Sequence, residues 1–124
     1  MKDLPALKQF VLTHFADIIS EVALVDIAEM RIFLIDSSFL DVWFSPRNPS
    51  KYSYHWERQH IDGTIYRHDN APHVRWQYVS TFPKNFHDGT ESNVIESQIS
   101  AVPTEALYAM LTFVRGSLDS FNRG

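Results

Sequence analysis

Residues 51–70 read Lys51-Tyr52-Ser53-Tyr54-His55-Trp56-Glu57-Arg58-Gln59-His60-Ile61-Asp62-Gly63-Thr64-Ile65-Tyr66-Arg67-His68-Asp69-Asn70, and the way the two halves pair decides the sheet. Tyr52, Tyr54, Trp56 and Arg58 alternate with Ser53, His55 and Glu57, the period-2 pattern of a strand with two unlike faces. Residues 64–69 alternate again. Asp62-Gly63 between them predicts a two-residue hairpin turn, because glycine accepts the positive φ of a primed turn. That register sets Glu57 opposite His68 and His55 opposite Asn70, and a one-residue bulge would re-pair every position. Ala71-Pro72 ends the second strand, since proline has no N–H for the ladder.

The chain has 124 residues, enough for one core and one domain spanning 1–124. It has no cysteine, which removes disulfides, thiol nucleophiles and thiolate metal sites. No apolar run approaches the roughly 20 residues that cross a bilayer, and the first residues do not follow the pattern of a secretion signal. The sequence therefore predicts a cytoplasmic protein. The net charge of −4 is unevenly spread: residues 1–45 carry −4, residues 46–78 carry +2 and residues 79–124 carry −2. An acidic total speaks against broad binding to nucleic acid, whereas the positive hairpin permits a local anionic ligand.

Working outward, residues 4–20 predict an amphipathic helix, with Leu4, Leu7, Phe10, Val11, Phe15, Ile18 and Ile19 on one stripe and Asp3 as its N-cap. Residues 22–35 predict one strand ending at Asp36-Ser37-Ser38, and residues 39–45 a second, stopped by Pro46 and Pro49. Trp76, Tyr78 and Val79 suggest a short extended piece. Phe82-Pro83 and His87-Asp88-Gly89 read as a loop or lid, and residues 93–99 as a final edge strand. Pro103, Thr104 and Glu105 open a second helix whose apolar side holds Leu107, Met110, Leu111, Val114, Leu118 and Phe121. The predicted class is α+β: an antiparallel meander of four or five strands, with the N- and C-terminal helices on one face.

Residues 51–87 hold five of the six histidines and two of the three tryptophans. A metal-independent ribonuclease needs a base for the 2′-hydroxyl, an acid for the leaving oxygen and a cation for the phosphorane charge. His55, His73 and His87 suit the proton roles. Asp69 or Glu57 could orient one of them, Arg67 or Arg75 could hold phosphate, and Tyr54 and Trp56 could stack a base, with Asn70 beside them. The same His55, His73, His87 and Asp69 could instead ligate a metal, although no recognised ligand spacing is present. A plainer reading assigns Asp69 and Asn70 to side-chain-to-backbone bonds at the hairpin exit, with the aromatic residues covering a sheet face.

Tyr52-Ser53-Tyr54-His55-Trp56, then Arg67 and Asp69-Asn70-Ala71-Pro72-His73, then Phe82-Pro83 and His87 resemble the TumE-like proteins, proposed toxins of prokaryotic type II toxin–antitoxin pairs. The resemblance covers nearly the whole chain. Where that family usually has Trp, a second His and a histidine-rich string, this chain has His68, Val74 and Lys84-Asn85-Phe86. The resemblance implies a toxin with a cognate antitoxin protein. The residues add an RNA target, as endoribonuclease or as a non-catalytic RNA- or protein-binding module of the same fold, with a metal-dependent hydrolase as the third reading. No cofactor is implied. An aromatic sheet face with an open edge also predicts a homodimer.

Overall fold

The computed structural model describes residues 2–123, with side chains through residue 120. Phe121, placed on the apolar stripe above, therefore lies outside the described side chains. Helix α1 (Leu4–Phe15) comes first, its N-cap Asp3 accepting the Ala6 N–H at 3.0 Å. Seven strands follow: β1 (Ile19–Leu24), β2 (Glu29–Leu34), β3 (Phe39–Phe44), β4 (Tyr52–Arg58), β5 (Thr64–Asp69), β6 (Asn85–Gly89) and β7 (Val94–Glu96). A one-turn helix, α2 (Gln59–Asp62), sits between β4 and β5, a 3-10 turn covers Val74–Trp76, and α3 (Pro103–Arg123) closes the chain. Every strand pairs antiparallel with its sequence neighbours, in the order β1 to β7.

The α+β class and the meander agree with expectation, but the sheet has seven strands rather than four or five. Two local effects account for the difference. Residues 22–35 are not one strand, because the Asp26 carboxylate accepts the N–H groups of Ala28 at 2.7 Å and Glu29 at 2.9 Å and folds the chain back. The second is β6, whose Asn85-Phe86-His87-Asp88-Gly89 lacks the β-branched content that marks a strand yet pairs fully with β5. Helix α1 also stops at Phe15, so Ile18 falls in the turn after it and Ile19 opens the first strand, rather than both extending the helical stripe.

Alternation assigns the two faces. Met30, Ile32, Leu34, Leu40, Val42, Phe44, Tyr52, Tyr54 and Trp56 point to one side and join Leu7, Val11 and Phe15 of α1 and Leu107, Met110, Leu111 and Val114 of α3 in one buried cluster. Both helices lie on this inner face. The hairpin after β4 is the decisive local structure. Instead of a two-residue turn, α2 takes up four residues, and Gly63 ends it at φ +79°. Glu57 accepts the Gln59 N–H at 2.8 Å, and Asp62 accepts from the Thr64 N–H at 3.1 Å and hydroxyl at 2.6 Å. Arg58 and Asp62 pair across the turn at 3.2 Å.

The longer turn changes the register. His55 lies opposite Arg67, Glu57 opposite Ile65 and Tyr54 opposite His68. Compared with the two-residue hairpin, β5 is displaced by an odd number of positions, so each of its side chains changes face. Arg67 and Asp69 join His55 on the outer face, and His68 turns inward beneath the helices.

Trp56 anchors the inner face. It is fully buried, and its indole N–H donates to the Ser38 hydroxyl at 2.8 Å, which in turn donates to Asp36 at 2.5 Å. Asp36 also takes the Arg58 guanidinium, which stacks over the Trp56 ring at 4.8 Å. Burial pushes the Asp36 carboxyl up, but the Ser38 and Arg58 bonds outweigh it and hold it below its ordinary range. Trp56→Ala is expected to cost about 3–5 kcal/mol in urea denaturation, as a large core truncation that also orphans the Ser38 acceptor. Val74→Ala, at an exposed position outside the sheet, is expected to stay within about 0.5 kcal/mol.

Candidate functional site

The outer face carries a row of polar residues in register across five strands: Arg31 on β2, Asp41 on β3, His55 on β4, Arg67 on β5 and His87 on β6. Arg31 and Asp41 form a two-pronged pair at 2.7 and 2.9 Å. The next row places Asp69 opposite both Ser53 and Asn85.

Arg67 is the centre of this arrangement. Its Nε donates to Asp69 Oδ2 at 2.9 Å, its Nη1 to Glu91 Oε1 at 2.8 Å and its Nη2 to Glu91 Oε2 at 2.6 Å. Nη1 also lies 3.3 Å from His55 Nδ1. Arginine can only donate, so Nδ1 is the acceptor, and His55 Nε2 carries the hydrogen that goes to Glu57 Oε1 at 3.1 Å. The imidazole is thus held in one tautomer between a carboxylate and a guanidinium.

His87 is almost entirely buried. Its Nδ1 donates to the Glu91 carbonyl at 2.8 Å, and its Nε2 faces Asp69 Oδ2 at 3.4 Å. The Trp76 ring stands edge-on to it at 6.0 Å, and the Trp76 indole N–H is buried without an acceptor among the described residues. Burial pushes the Asp69 carboxyl up, but bonds from His87, Arg67 and the Ala71 N–H outweigh it, and its pKa falls to about 2. Glu91 is held below its ordinary range chiefly by the Arg67 bonds. For Arg67, burial works against the charge, and the Glu91 and Asp69 bonds overcome it, so the guanidinium is held more firmly protonated than usual.

The sequence-predicted residues divide into four groups. His55, Arg67, Asp69 and His87 form one hydrogen-bonded cluster. Asn70 belongs to the strand exit, where its Oδ1 accepts the Tyr52 N–H at 3.0 Å and its Nδ2 donates to the Ser50 carbonyl at 2.8 Å. His73 and Arg75 are exposed on the segment after β5; Arg75 rests over the Trp76 ring at 4.7 Å, and the His73 side chain has no partner among the described residues. Tyr54 and Trp56 require a correction. They are 2% and 0% exposed on the inner face, so neither ring offers a surface for a base. The period-2 pattern that made them look like a platform is the pattern that buries them.

Glu91 is the site residue that sequence reasoning misses. It lies in the Thr90–Asn93 turn, where no periodicity or motif marks it, and only the pairing of β5 with β6 brings it to Arg67. Among the described residues no three His, Asp or Glu side chains are arranged to hold a metal ion, and no helix is long and apolar enough to cross a membrane.

These features define a seven-stranded α+β protein that holds an arginine-centred imidazole–carboxylate cluster on the sheet face opposite its helices. A family model described as toxin TumE matches residues 9–118, and the chain belongs to this toxin family. No curated protein and no solved structure matches it.

His68 supplies a separate test of the register. It stacks on Phe86 at 4.2 Å, its Nδ1 lies 2.7 Å from the Ser97 hydroxyl, and burial, helped by nearby Lys84, pushes its pKa down to about 4. The unfolded chain takes up this proton near 6.5, whereas the folded protein resists until about 4. Stability present above the higher value is therefore lost as pH falls through that window. Between pH 7 and pH 4.5 the wild type should lose roughly 2–3 kcal/mol more than His68→Gln, measured by urea denaturation at the two pH values.

Proposed function

We propose that this toxin acts on RNA as a metal-independent endoribonuclease, with His55 as the general base. The observation that carries this reading is the fixed tautomer of His55: Glu57 takes the Nε2 hydrogen at 3.1 Å, and the Nδ1 lone pair points at the Arg67 guanidinium, 3.3 Å away. A phosphodiester drawn to Arg67 brings its neighbouring 2′-hydroxyl to that lone pair. His55 Nδ1 takes the hydroxyl proton, the 2′-oxygen attacks phosphorus, and Arg67 balances the charge on the phosphorane oxygens. Glu57 steadies the imidazolium that forms, as the orienting carboxylate does in a catalytic triad. His73, exposed and without a side-chain partner, is the acid that protonates the leaving 5′-oxygen in this reading. Asp69, itself faced by His87, holds the guanidinium in place.

A second reading also has an observation in its favour. In the free protein Arg67 is bonded to Asp69, Glu91 and His55, and His55 and His87 each have a partner at both ring nitrogens. A cluster this completely satisfied also suits a non-catalytic module that grips RNA or protein. In either case the membership in a toxin family points to a cognate antitoxin protein as partner. The edge strands β1 and β7 offer places where a homodimer could form.

Purified protein incubated with a panel of single-stranded and structured RNAs separates the readings. Cleavage in the presence of a chelator, reduced at least about a hundredfold by His55→Ala with the circular dichroism spectrum unchanged, is the expected result. Binding without cleavage, indifferent to His55→Ala, assigns the module instead. Cleavage that appears only on adding a divalent ion assigns the metal-dependent hydrolase.

A further inference from the structure

The acid/base reading leaves one contact without a role, the fork between Arg67 and Glu91. Glu91 belongs to the turn between β6 and β7, and the turn is held without its carboxylate. The Asp88 N–H donates to the Asn93 carbonyl at 2.9 Å, the Asn93 side-chain amide donates to the Asp88 carbonyl at 2.9 Å, and the Asn93 N–H donates to the Thr90 hydroxyl at 3.2 Å. The backbone at Glu91 is fixed by His87, which donates to its carbonyl at 2.8 Å. Only the carboxylate reaches Arg67, and the Glu91 side chain is 58% exposed against 21% for that of Arg67. The carboxylate can rotate into solvent and leave the turn, the strands and the His87 bond as they are.

Its departure would leave a particular vacancy. Asp69 keeps Nε occupied at 2.9 Å, so the guanidinium stays in position with both Nη groups directed at the place the two Glu91 oxygens held. Carboxylate and phosphate present the same pair of acceptor oxygens to this fork. We propose that the Arg67 fork is the seat of a phosphate group in the ligand, and that Glu91 is a tethered stand-in which the phosphodiester must displace. The proposal rests on the RNA-directed reading above and adds that the free protein holds its own phosphate seat closed.

The test uses the full chain and a chemically uncleavable 2′-O-methyl oligonucleotide, with affinity read by fluorescence anisotropy. Glu91→Gln is expected to tighten binding about tenfold, because the stand-in charge is gone. Glu105→Gln removes an equal charge at the start of α3, on the other side of the sheet, and is expected to change affinity less than about twofold. Arg67→Lys should abolish the Glu91→Gln gain, since a lysine cannot offer the fork. A titration with inorganic phosphate, following the Arg67 side-chain nitrogen resonances in Glu91→Gln, distinguishes recognition of the phosphate group alone from recognition that also needs the nucleoside. Oligonucleotide affinity that is unchanged or weakened in Glu91→Gln overturns the seat, whatever the cleavage assay shows. Affinity that rises while no RNA is cleaved by any variant supports the seat and removes the ribonuclease reading.

Discussion

The residues Gln59–Gly63 decide which way every side chain of β5 faces. A β-strand has a side-chain period of two, so adding an odd number of residues to the connection before it exchanges its faces. Here the connection is a single helical turn ended by a left-handed glycine, where a two-residue turn would also have fitted the sequence. With the shorter turn, Arg67 and Asp69 would lie among the aromatic core residues and His68 in solvent. With the observed one, a guanidinium and a carboxylate stand beside His55 on the outer face.

The same turn is tied to the core. Arg58 is nearly buried and pairs with both Asp36 and Asp62, so one side chain connects the loop after β2, the indole of Trp56 and the end of the β4–β5 connection. A buried guanidinium is costly unless its charge and hydrogens are matched. Two carboxylates and an aromatic ring provide that match. Because Arg58 bonds both Asp36 and Asp62, the packing beneath the sheet and the turn that sets the register are joined through one side chain. The outer cluster then follows from strand pairing: residues 55, 67 and 87 lie in one row, and Glu91 reaches that row from the next turn.

The class of the fold was legible because it rests on features that survive local error. The stripe of Leu4, Leu7, Val11 and Phe15, the stripe of Leu107, Met110, Leu111 and Val114, and the alternation of residues 39–44 and 52–58 each point to one burial direction. Local chemistry that competes with propensity was harder to see. Asp26 splits a continuous apolar run through two backbone bonds, and β6 is a strand because its neighbour makes it one, with little intrinsic preference. The candidate site was legible by residue type and not by arrangement. His55, Arg67, Asp69 and His87 could be singled out by chemistry, but which of them meet depended on the parity of a turn. Tyr54 and Trp56 show the opposite error: two aromatic residues that look functional in a list are explained by the face they share with Tyr52.

The meander has a temporal side as well. Each strand finds its partner in the segment made just before it, so the sheet can assemble by successive hairpins with little loop entropy to overcome. Its inner face differs, because α1 covers only part of it and α3 follows all seven strands. During synthesis the sheet therefore exists before its cover does, with a broad oily surface open until the last helix emerges. Over that interval the nascent chain is at its most adhesive, and α3 acts as the clasp that ends it.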